Sequence, residues 1–220
     1  MNILFSSIGK KLQVAISGFF LIVFLFFHLA NNMVLFTSSD NFNNMVHFLE
    51  SIKPLVRIME FGLLLLLVIH TVNAIKLTID NRKLNTRYAV NTAHKLSSVN
   101  SRTMAISGSI ILLFLIIHLL YIWWTYQTHS FISNTETYYD VILRDNIGYL
   151  NHLPTAIFYI VAILCIGFHL KHGFQSALKT FGVSSVEKNK LLYLIGFLIW
   201  GIIPLGFIII VISIQTGIIK

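Results

Sequence analysis

Four histidines lie within four separate apolar segments of this chain. They are His28, His70, His118 and His169. A histidine inside hydrocarbon is costly, so such residues are rare and usually bind a partner or perform a function. Imidazole nitrogens are frequent ligands of haem iron and other metals. Four of them, one per segment, predict two pairs of axial ligands.

A repeat links two of these segments. The sequence Ala-Ile-Ser-Gly precedes both His28 and His118, with its glycine ten residues before the histidine. The two copies are offset by 90 residues, and 8 of the 16 positions from Val14 to Leu29 match. Ser17 and Ser107 lie eleven residues before their histidines, on nearly the same helix face but three turns inward. They are predicted to hydrogen-bond a haem propionate or the other two imidazoles. A bond to the serine's own helix carbonyl is the open alternative.

The composition is that of a membrane protein. Of 220 residues, 56% are hydrophobic and 11% are charged, whereas soluble domains average about 25% charged residues. A helix needs about 20 mostly apolar residues to cross the hydrocarbon. The five segments that qualify are Leu12–Phe36, Leu55–Leu77, Met104–Tyr126, Leu153–Ala177 and Leu191–Ile214. The predicted fold is an all-α integral membrane domain over residues 1–220, with four helices in a haem-binding bundle and one peripheral helix.

Lysine and arginine predict the orientation of these spans. Twelve of them flank one side and four flank the other. The N-terminus is therefore expected in the cytoplasm and the C-terminus outside, across an inner membrane. This topology accounts for the net charge of +8, so nucleic acid is not an expected partner. The single cysteine cannot form an internal disulfide framework, and no C-x-x-C-H motif for covalent haem attachment is present.

Depth along the helices pairs the histidines. At 1.5 Å per residue, His28 and His118 are expected roughly 4–6 Å on the outer side of the midplane. His70 and His169 are expected roughly 5–6 Å on the inner side. This arrangement is typical of two bis-histidine haems stacked through a four-helix bundle. With both axial positions filled no position is open to oxygen, so electron transfer is the expected chemistry.

Several small and basic residues are further candidates for contact with the haems. Gly18, Gly108 and Gly62 are small enough for a flat macrocycle to approach the backbone, or they simply permit helix packing. Lys11 and Arg102 lie further inward and are candidate propionate partners. Ordinary positive-inside charge is the alternative for both.

The chain resembles the di-haem cytochrome b membrane anchors of succinate dehydrogenases and fumarate reductases, in the class with one five-helix polypeptide. The resemblance covers nearly the whole chain, and it rests on the combination of spacings rather than on any single piece. The segments that carry it are Ser17-Gly18 to Asn32, Phe42 to Ser51, His70, Ser107-Gly108 to His118, and Phe168 to Gly173 followed by Gly182.

This resemblance implies two non-covalent b haems. His70 and His169 would bind the proximal haem, near a flavoprotein subunit and an iron–sulfur subunit on the cytoplasmic side. His28 and His118 would bind the distal haem. His172, three residues after His169, is the rival ligand. A homo-oligomer of the whole complex is compatible with this assignment.

The resemblance also implies a membrane quinone, expected to be menaquinone, near the distal haem. Glu50 falls on the acidic residue that the family carries between its first two helices. A carboxylate there can exchange protons with the quinone, and a solvated loop acid is the alternative. His47 and Asn31 are further candidates for the quinone site, and His47 is equally placed for proton exchange or for contact with a haem propionate. One class of the family carries a glutamate two residues before the last ligand, but here Gly167 stands at that position, which puts a transmembrane proton path in doubt.

Two other functions remain open from the sequence. The chain is also compatible with the cytochrome b subunit of a hydrogenase, formate dehydrogenase or nitrate reductase. A transporter that uses the histidines as a relay is the other alternative, although no span is broken by a central Pro-Gly pair. The chain has no flavin motif, no iron–sulfur cysteines and no dicarboxylate site. Any dicarboxylate chemistry is therefore expected in partner subunits.

Overall fold

Five long helices dominate the computed structural model of the chain. It describes residues 6–87, 99–183 and 189–220, with side chains for 6–80, 104–183 and 189–220. The helices that are long and apolar enough to cross a membrane are Ser7–Phe36, Lys53–Asp80, Met104–Thr128, Leu153–Thr180 and Lys190–Gln215. Every predicted span lies inside one of them. The all-α, multi-pass membrane fold predicted from hydropathy is thus confirmed.

The helices are numbered here in chain order. They are α1 (Ser7–Met33), α2 (Ser39–Ser51), α3 (Lys53–Arg87), α4 (Val99–His118), α5 (Trp124–Thr128), α6 (Tyr138–Ile142), α7 (Leu153–Thr180), α8 (Lys190–Phe197) and α9 (Ile203–Gln215). A π-helical turn, Leu119–Trp123, joins α4 to α5 in the third span. A second, Leu198–Ile202, joins α8 to α9 in the fifth span. Such turns widen a helix locally and recur at functional sites.

Polar caps explain where several helices begin. The Ser6 hydroxyl accepts from the Gly9 amide at 3.0 Å at the start of α1. Thr137 and Asp140 form a reciprocal capping box at the start of α6. These side chains satisfy backbone donors that have no partner inside the helix. Pro154 lies in the first turn of α7, where a missing amide hydrogen costs nothing.

Four helices form a bundle with the fifth span at its side. The closely packed pairs among the described helices include α1 with α3, α4 with α7, and α1 with α7. The pairs α1 with α4, α3 with α7 and α3 with α4 are not among them. Because α1 and α4 both pack on α7, and α3 and α7 both pack on α1, each of the first two pairs is separated by one helix. The α9 segment packs against α7 and α1, which agrees with the predicted peripheral fifth helix.

The two connections on one side of the bundle fold into a compact cap. Following the predicted orientation, we call this the outer end. Its buried cluster joins α2, α6 and the end of the fifth span, and consists of Leu35, Phe42, Val46, Tyr138, Tyr139, Ile142, Ile210, Ile214 and Ile219. Arg144 and Glu136 form a 2.7 Å ion pair beside it. The hydrogen bond from Arg144 lowers the pKa of the Glu136 carboxyl below its usual value, so the pair stays ionised at neutral pH.

Large apolar side chains face outward along the spans. Examples are Phe26, Phe27, Leu64 and Phe168, each more than half exposed. A soluble monomer rarely exposes contiguous apolar surface on this scale. The surface of the bundle is therefore suited to contact with lipid.

Candidate functional site: two histidine pairs across the bundle

The structure brings His28 of α1 and His118 of α4 together across the outer half of the bundle. Their ring centres lie 5.8 Å apart, with the planes at 84°. Each ring stacks on a phenylalanine one turn earlier in its own helix: Phe24 at 5.2 Å from His28 and Phe114 at 5.6 Å from His118. The two phenylalanines occupy matching positions of the 90-residue repeat. Each copy of the repeat thus contains a histidine and the phenylalanine on which its ring stacks.

A second pair lies in the inner half of the bundle. The rings of His70 in α3 and His169 in α7 have centres 6.2 Å apart, with the planes at 57°. His172, the rival to His169, is half-buried one turn further along α7. In the part of the chain that the structure describes, the histidine ring that faces His70 is that of His169.

The spacing of both pairs suits a shared metal ion. Imidazole nitrogens bind transition metals at about 2.0–2.1 Å, so two rings on opposite sides of one ion have centres on the order of 6 Å apart. The observed separations are 5.8 Å and 6.2 Å. No group of three or more protein ligands is found among the described residues. A haem needs only two, because the macrocycle supplies the other four nitrogens.

Two glycines leave space beside the inner pair. A Cβ atom at Gly18 would lie 3.3 Å from Cε1 of His70, and one at Gly108 would lie 3.7 Å from Cε1 of His169. A side chain at Gly18 would therefore press against the imidazole. Gly62 is exposed and has no neighbour within 4 Å of its would-be Cβ, so it does not belong to this space.

The second nitrogen of His70 is held by α1. Its Nδ1 atom lies 3.2 Å from the hydroxyl oxygen of Ser17 and 3.2 Å from the carbonyl oxygen of Val14. The Ser17 hydroxyl also donates to the carbonyl of Gln13 at 2.6 Å. Both interactions predicted for this serine therefore occur together. An Nδ1–H group donated to these oxygens leaves Nε2 free for a metal, which is how ligating histidines are usually oriented.

The matching serine of the second repeat behaves differently. Ser107 donates to the carbonyl of Met104 at 3.1 Å, which is the helix-carbonyl alternative. The Nδ1 atom of His169 is buried and has no hydrogen-bond partner among the described residues. A buried polar atom without a partner is costly, so the protein alone leaves this half of the inner site unsatisfied. A haem propionate or a water molecule would suit it.

Tyr159 of α7 supports the outer pair, and sequence reasoning did not find it. This tyrosine is buried, and its hydroxyl lies 3.4 Å from Nδ1 of His118. Its ring also contacts Phe114, with centres 4.9 Å apart. A tyrosine in an apolar span gives no sequence pattern that separates such a role from ordinary packing.

A polar cluster lies at the outer end, where the quinone site is predicted. We call it the Glu50 cluster, and it consists of Glu50, His47, His129 and Tyr138. Glu50 lies between two histidines, with Nδ1 of His47 3.3 Å from Oε2 and Nε2 of His129 3.5 Å from Oε1. The hydroxyl of Tyr138 lies 3.1 Å from Nδ1 of His129. Glu50 and His47 are thus brought together, and His129 and Tyr138 join them. Asn31 is exposed at the end of α1 and does not hydrogen-bond Glu50 in the described part of the chain.

Lys11 and Arg102, the basic residues predicted to bind a haem propionate, belong to the inner end. Lys11 is exposed on α1, and the side chain of Arg102 lies outside the described residues. Lys10, next to Lys11, forms a 3.0 Å ion pair with Asp80. This pair ties the inner end of α1 to α3.

An ion pair inside the second span was not singled out from the sequence. Arg57 binds Glu60 one turn further along α3 and also Gln127 of α5. The indole nitrogen of Trp123 donates to Glu60 at 3.0 Å. Trp123 ends the π-helical turn that follows His118. These bonds fasten the outer end of the third span to α3.

Gly167 lies at a tight contact between α7 and the fifth span. A Cβ atom there would be 3.1 Å from the carbonyl oxygen of Trp200 and 3.7 Å from the Pro204 ring. A glutamate side chain cannot enter this contact unless the helices move apart. Glycine at position 167 thus suits the close approach of the fifth span.

No family model, curated protein or solved structure matches the chain. The function is therefore inferred from the two histidine pairs and from their surroundings.

Proposed function

We propose that this chain is the di-haem cytochrome b membrane anchor of a succinate:quinone oxidoreductase or quinol:fumarate reductase. In this role His70 and His169 hold the inner haem b, and His28 and His118 hold the outer one. When bound, the two haems supply one-electron carriers at two depths. The chain then passes electrons between an iron–sulfur subunit on the cytoplasmic side and a membrane quinone.

The observation that carries the proposal is the pair of cross-bundle histidine contacts. Each joins helices that are not closely packed neighbours, and each has the ring spacing of two axial ligands. Histidines kept only for packing have no reason to meet across the bundle twice, at two levels. A relay for protons or metal ions would instead favour acidic or water-lined groups between the rings.

The surrounding residues orient the ligands. Ser17 and the Val14 carbonyl hold Nδ1 of His70, and Tyr159 holds Nδ1 of His118. Phe24 and Phe114 stack on the outer imidazoles. Such contacts fix the ring orientation and raise the basicity of a ligand, which tunes the potential of a bound metal.

The two ends of the bundle suit different partners. The outer end carries the Glu50 cluster, where a carboxylate can exchange protons with a quinone at the membrane edge. The inner end carries Lys11, the Lys10–Asp80 pair and the basic connection between the second and third spans. It is the end expected to meet the flavoprotein and iron–sulfur subunits. The cytoplasmic position of the N-terminus follows from the same charge distribution.

The first test is the haem content of the purified complex. We expect two haems b per chain, with two separable midpoint potentials in a stepwise redox titration of the reduced spectrum. Copurifying flavin and iron–sulfur subunits would distinguish this complex from a hydrogenase or nitrate reductase. A folded protein without haem would overturn the proposal, and one haem per chain would restrict it to a single histidine pair.

A second prediction concerns Tyr159. The Tyr159→Phe variant keeps the ring in place but removes the hydrogen bond to His118, and a bond of this kind is worth about 1 kcal/mol. The imidazole then becomes a weaker donor, so the potential of the outer haem should rise, by at most roughly 40 mV if the whole bond energy favours the oxidised state, given 59 mV per tenfold change for one electron. The matched variant Ser17→Ala should move only the inner haem. Equal movement of both potentials in Tyr159→Phe would contradict this assignment.

A further inference from the structure

The Glu50 cluster contains a histidine that nothing in the sequence singled out. His129 follows α5 directly and belongs to a different segment from Glu50, which lies in α2. Its backbone has φ = 50°, and it is the one non-glycine residue with positive φ in the described part of the chain. This left-handed conformation ends α5 as its C-cap, with the His129 amide bonded to the Thr125 carbonyl. From this position the imidazole of His129 lies 3.5 Å from Glu50.

Both ring nitrogens of His129 have a polar neighbour in this cluster. Tyr138 is buried, and both this burial and the nearby Glu50 carboxylate raise the pKa of its hydroxyl. The phenol therefore stays protonated at neutral pH, and its oxygen lies 3.1 Å from Nδ1 of His129. Nε2 faces Oε1 of Glu50 at 3.5 Å. When the proton of the neutral ring is on Nδ1, where the phenol oxygen can accept it, Nε2 can take a proton from Glu50.

Exposure increases outward through the cluster. The Glu50 side chain is 30% exposed, whereas His129 is 47% exposed and His47 is 64% exposed. A proton that reaches the carboxylate therefore has two titratable neighbours that open to water. Two other acids of this end, Glu136 and Asp140, are engaged by Arg144 and by the α6 cap. Two further charged residues belong to this end. Asp40 lies in the first turn of α2, and Lys53 begins α3 just after α2 ends.

We propose that His129 is the proton acceptor next to Glu50 in a relay that connects the quinone site to the outer aqueous phase, with Tyr138 as the positioning residue. This rests on the proposed function. Oxidation of a quinol to a quinone releases two electrons and two protons. The electrons leave inward through the chain, and each proton passes from Glu50 to Nε2 of His129 and then to water. Quinone reduction uses the same path in reverse.

The test uses the intact complex and a short-chain naphthoquinol, with the rate of haem reduction followed by stopped flow from pH 5.5 to 8.5. His129→Asn is the informative variant, because asparagine tolerates positive φ but does not titrate. We expect it to bind both haems and to reduce fully with dithionite. Its quinol-driven rate should fall on the order of 10²-fold, as expected for one lost acid–base group, and added imidazole should restore it.

The matched control is His152→Asn at the same end of the bundle. The His152 side chain lies 2.9 Å from the Thr155 hydroxyl, and the residue occupies the N-cap position of α7, where asparagine is favoured. We expect its rate to equal that of the wild type. Unchanged rates in His129→Asn at every pH would overturn the relay, as would a loss that imidazole does not restore. If His129→Asn fails to assemble, Tyr138→Phe decides in the same way, by a pH-dependent loss of rate or its absence.

These outcomes are separable from failure of the proposed function. A wild-type complex without haem would remove the cytochrome function itself. A haem-loaded complex with a normal redox titration and an insensitive His129→Asn variant would remove only the relay.

Discussion

Replacing any one of the four histidines of the cross-bundle pairs with alanine is expected to remove one haem and leave the other. The four variants should form two classes. His28→Ala and His118→Ala should retain the same inner haem, because their rings belong to one pair. His70→Ala and His169→Ala should retain the outer haem, for the same reason. Haem content, and the midpoint potential that remains, measure this directly.

His172→Ala is the control for this series. It removes a neighbouring half-buried histidine of α7 that does not face His70, so both haems should remain. A different grouping of the variants, such as His28→Ala and His70→Ala losing the same haem, would show that the cross-bundle pairs are not the ligand pairs.

Gly18→Leu is expected to abolish the inner haem. The first atom of any side chain at this position already lies 3.3 Å from the His70 ring, and a leucine extends well beyond that atom. The bundle cannot absorb such a volume without displacing the imidazole, since packed interiors have few voids. The variant should therefore hold about one haem per chain, with the potential of the outer one.

Two matched glycines test the reason for this loss. Gly62→Leu places the same side chain on an exposed surface of α3 with no neighbour nearby, and it should retain both haems. Gly108→Ala should also be tolerated, because its Cβ would lie at 3.7 Å from His169, an ordinary contact distance. Loss of haem in Gly62→Leu would indicate a general effect on insertion rather than a blocked site.

The fold was predictable because the bilayer imposes a length on each apolar segment. All five predicted spans lie within the observed helices, which continue a few residues further at most ends. Those extensions were not predicted, because an apolar run marks only the part of a helix that lies in the hydrocarbon. The helical backbone continues into the polar boundary and is capped there by residues such as Ser6 and Asn189.

The histidine contacts could be anticipated from depth, but their surroundings could not. Rise per residue gives the level of each imidazole, and two rings at one level in a narrow bundle must meet. Tyr159 and His129 take part through contacts with segments remote in sequence; Tyr159, for example, is 41 positions from His118. The Glu60–Trp123 bond similarly spans 63 positions. No local pattern encodes such contacts.

The repeat was informative only in part. It matched the positions of Phe24 with Phe114 and Gly18 with Gly108. It also suggested equal roles for the two serines, yet Ser17 reaches His70 whereas Ser107 bonds its own helix. Equal sequence therefore produced unequal contacts, because α3 and α7, which face the two copies, do not share the repeat.

The way the pairs connect the helices also has a consequence for how the protein is made. A chain synthesised from its N-terminus completes the outer pair as soon as the third span is in the membrane. The inner pair must wait for His169 in the fourth span. A ribosome that has released only the first two spans has made one member of each pair and finished neither. The order of synthesis thus makes the outer histidine pair available first and the inner pair only when the fourth span has been made.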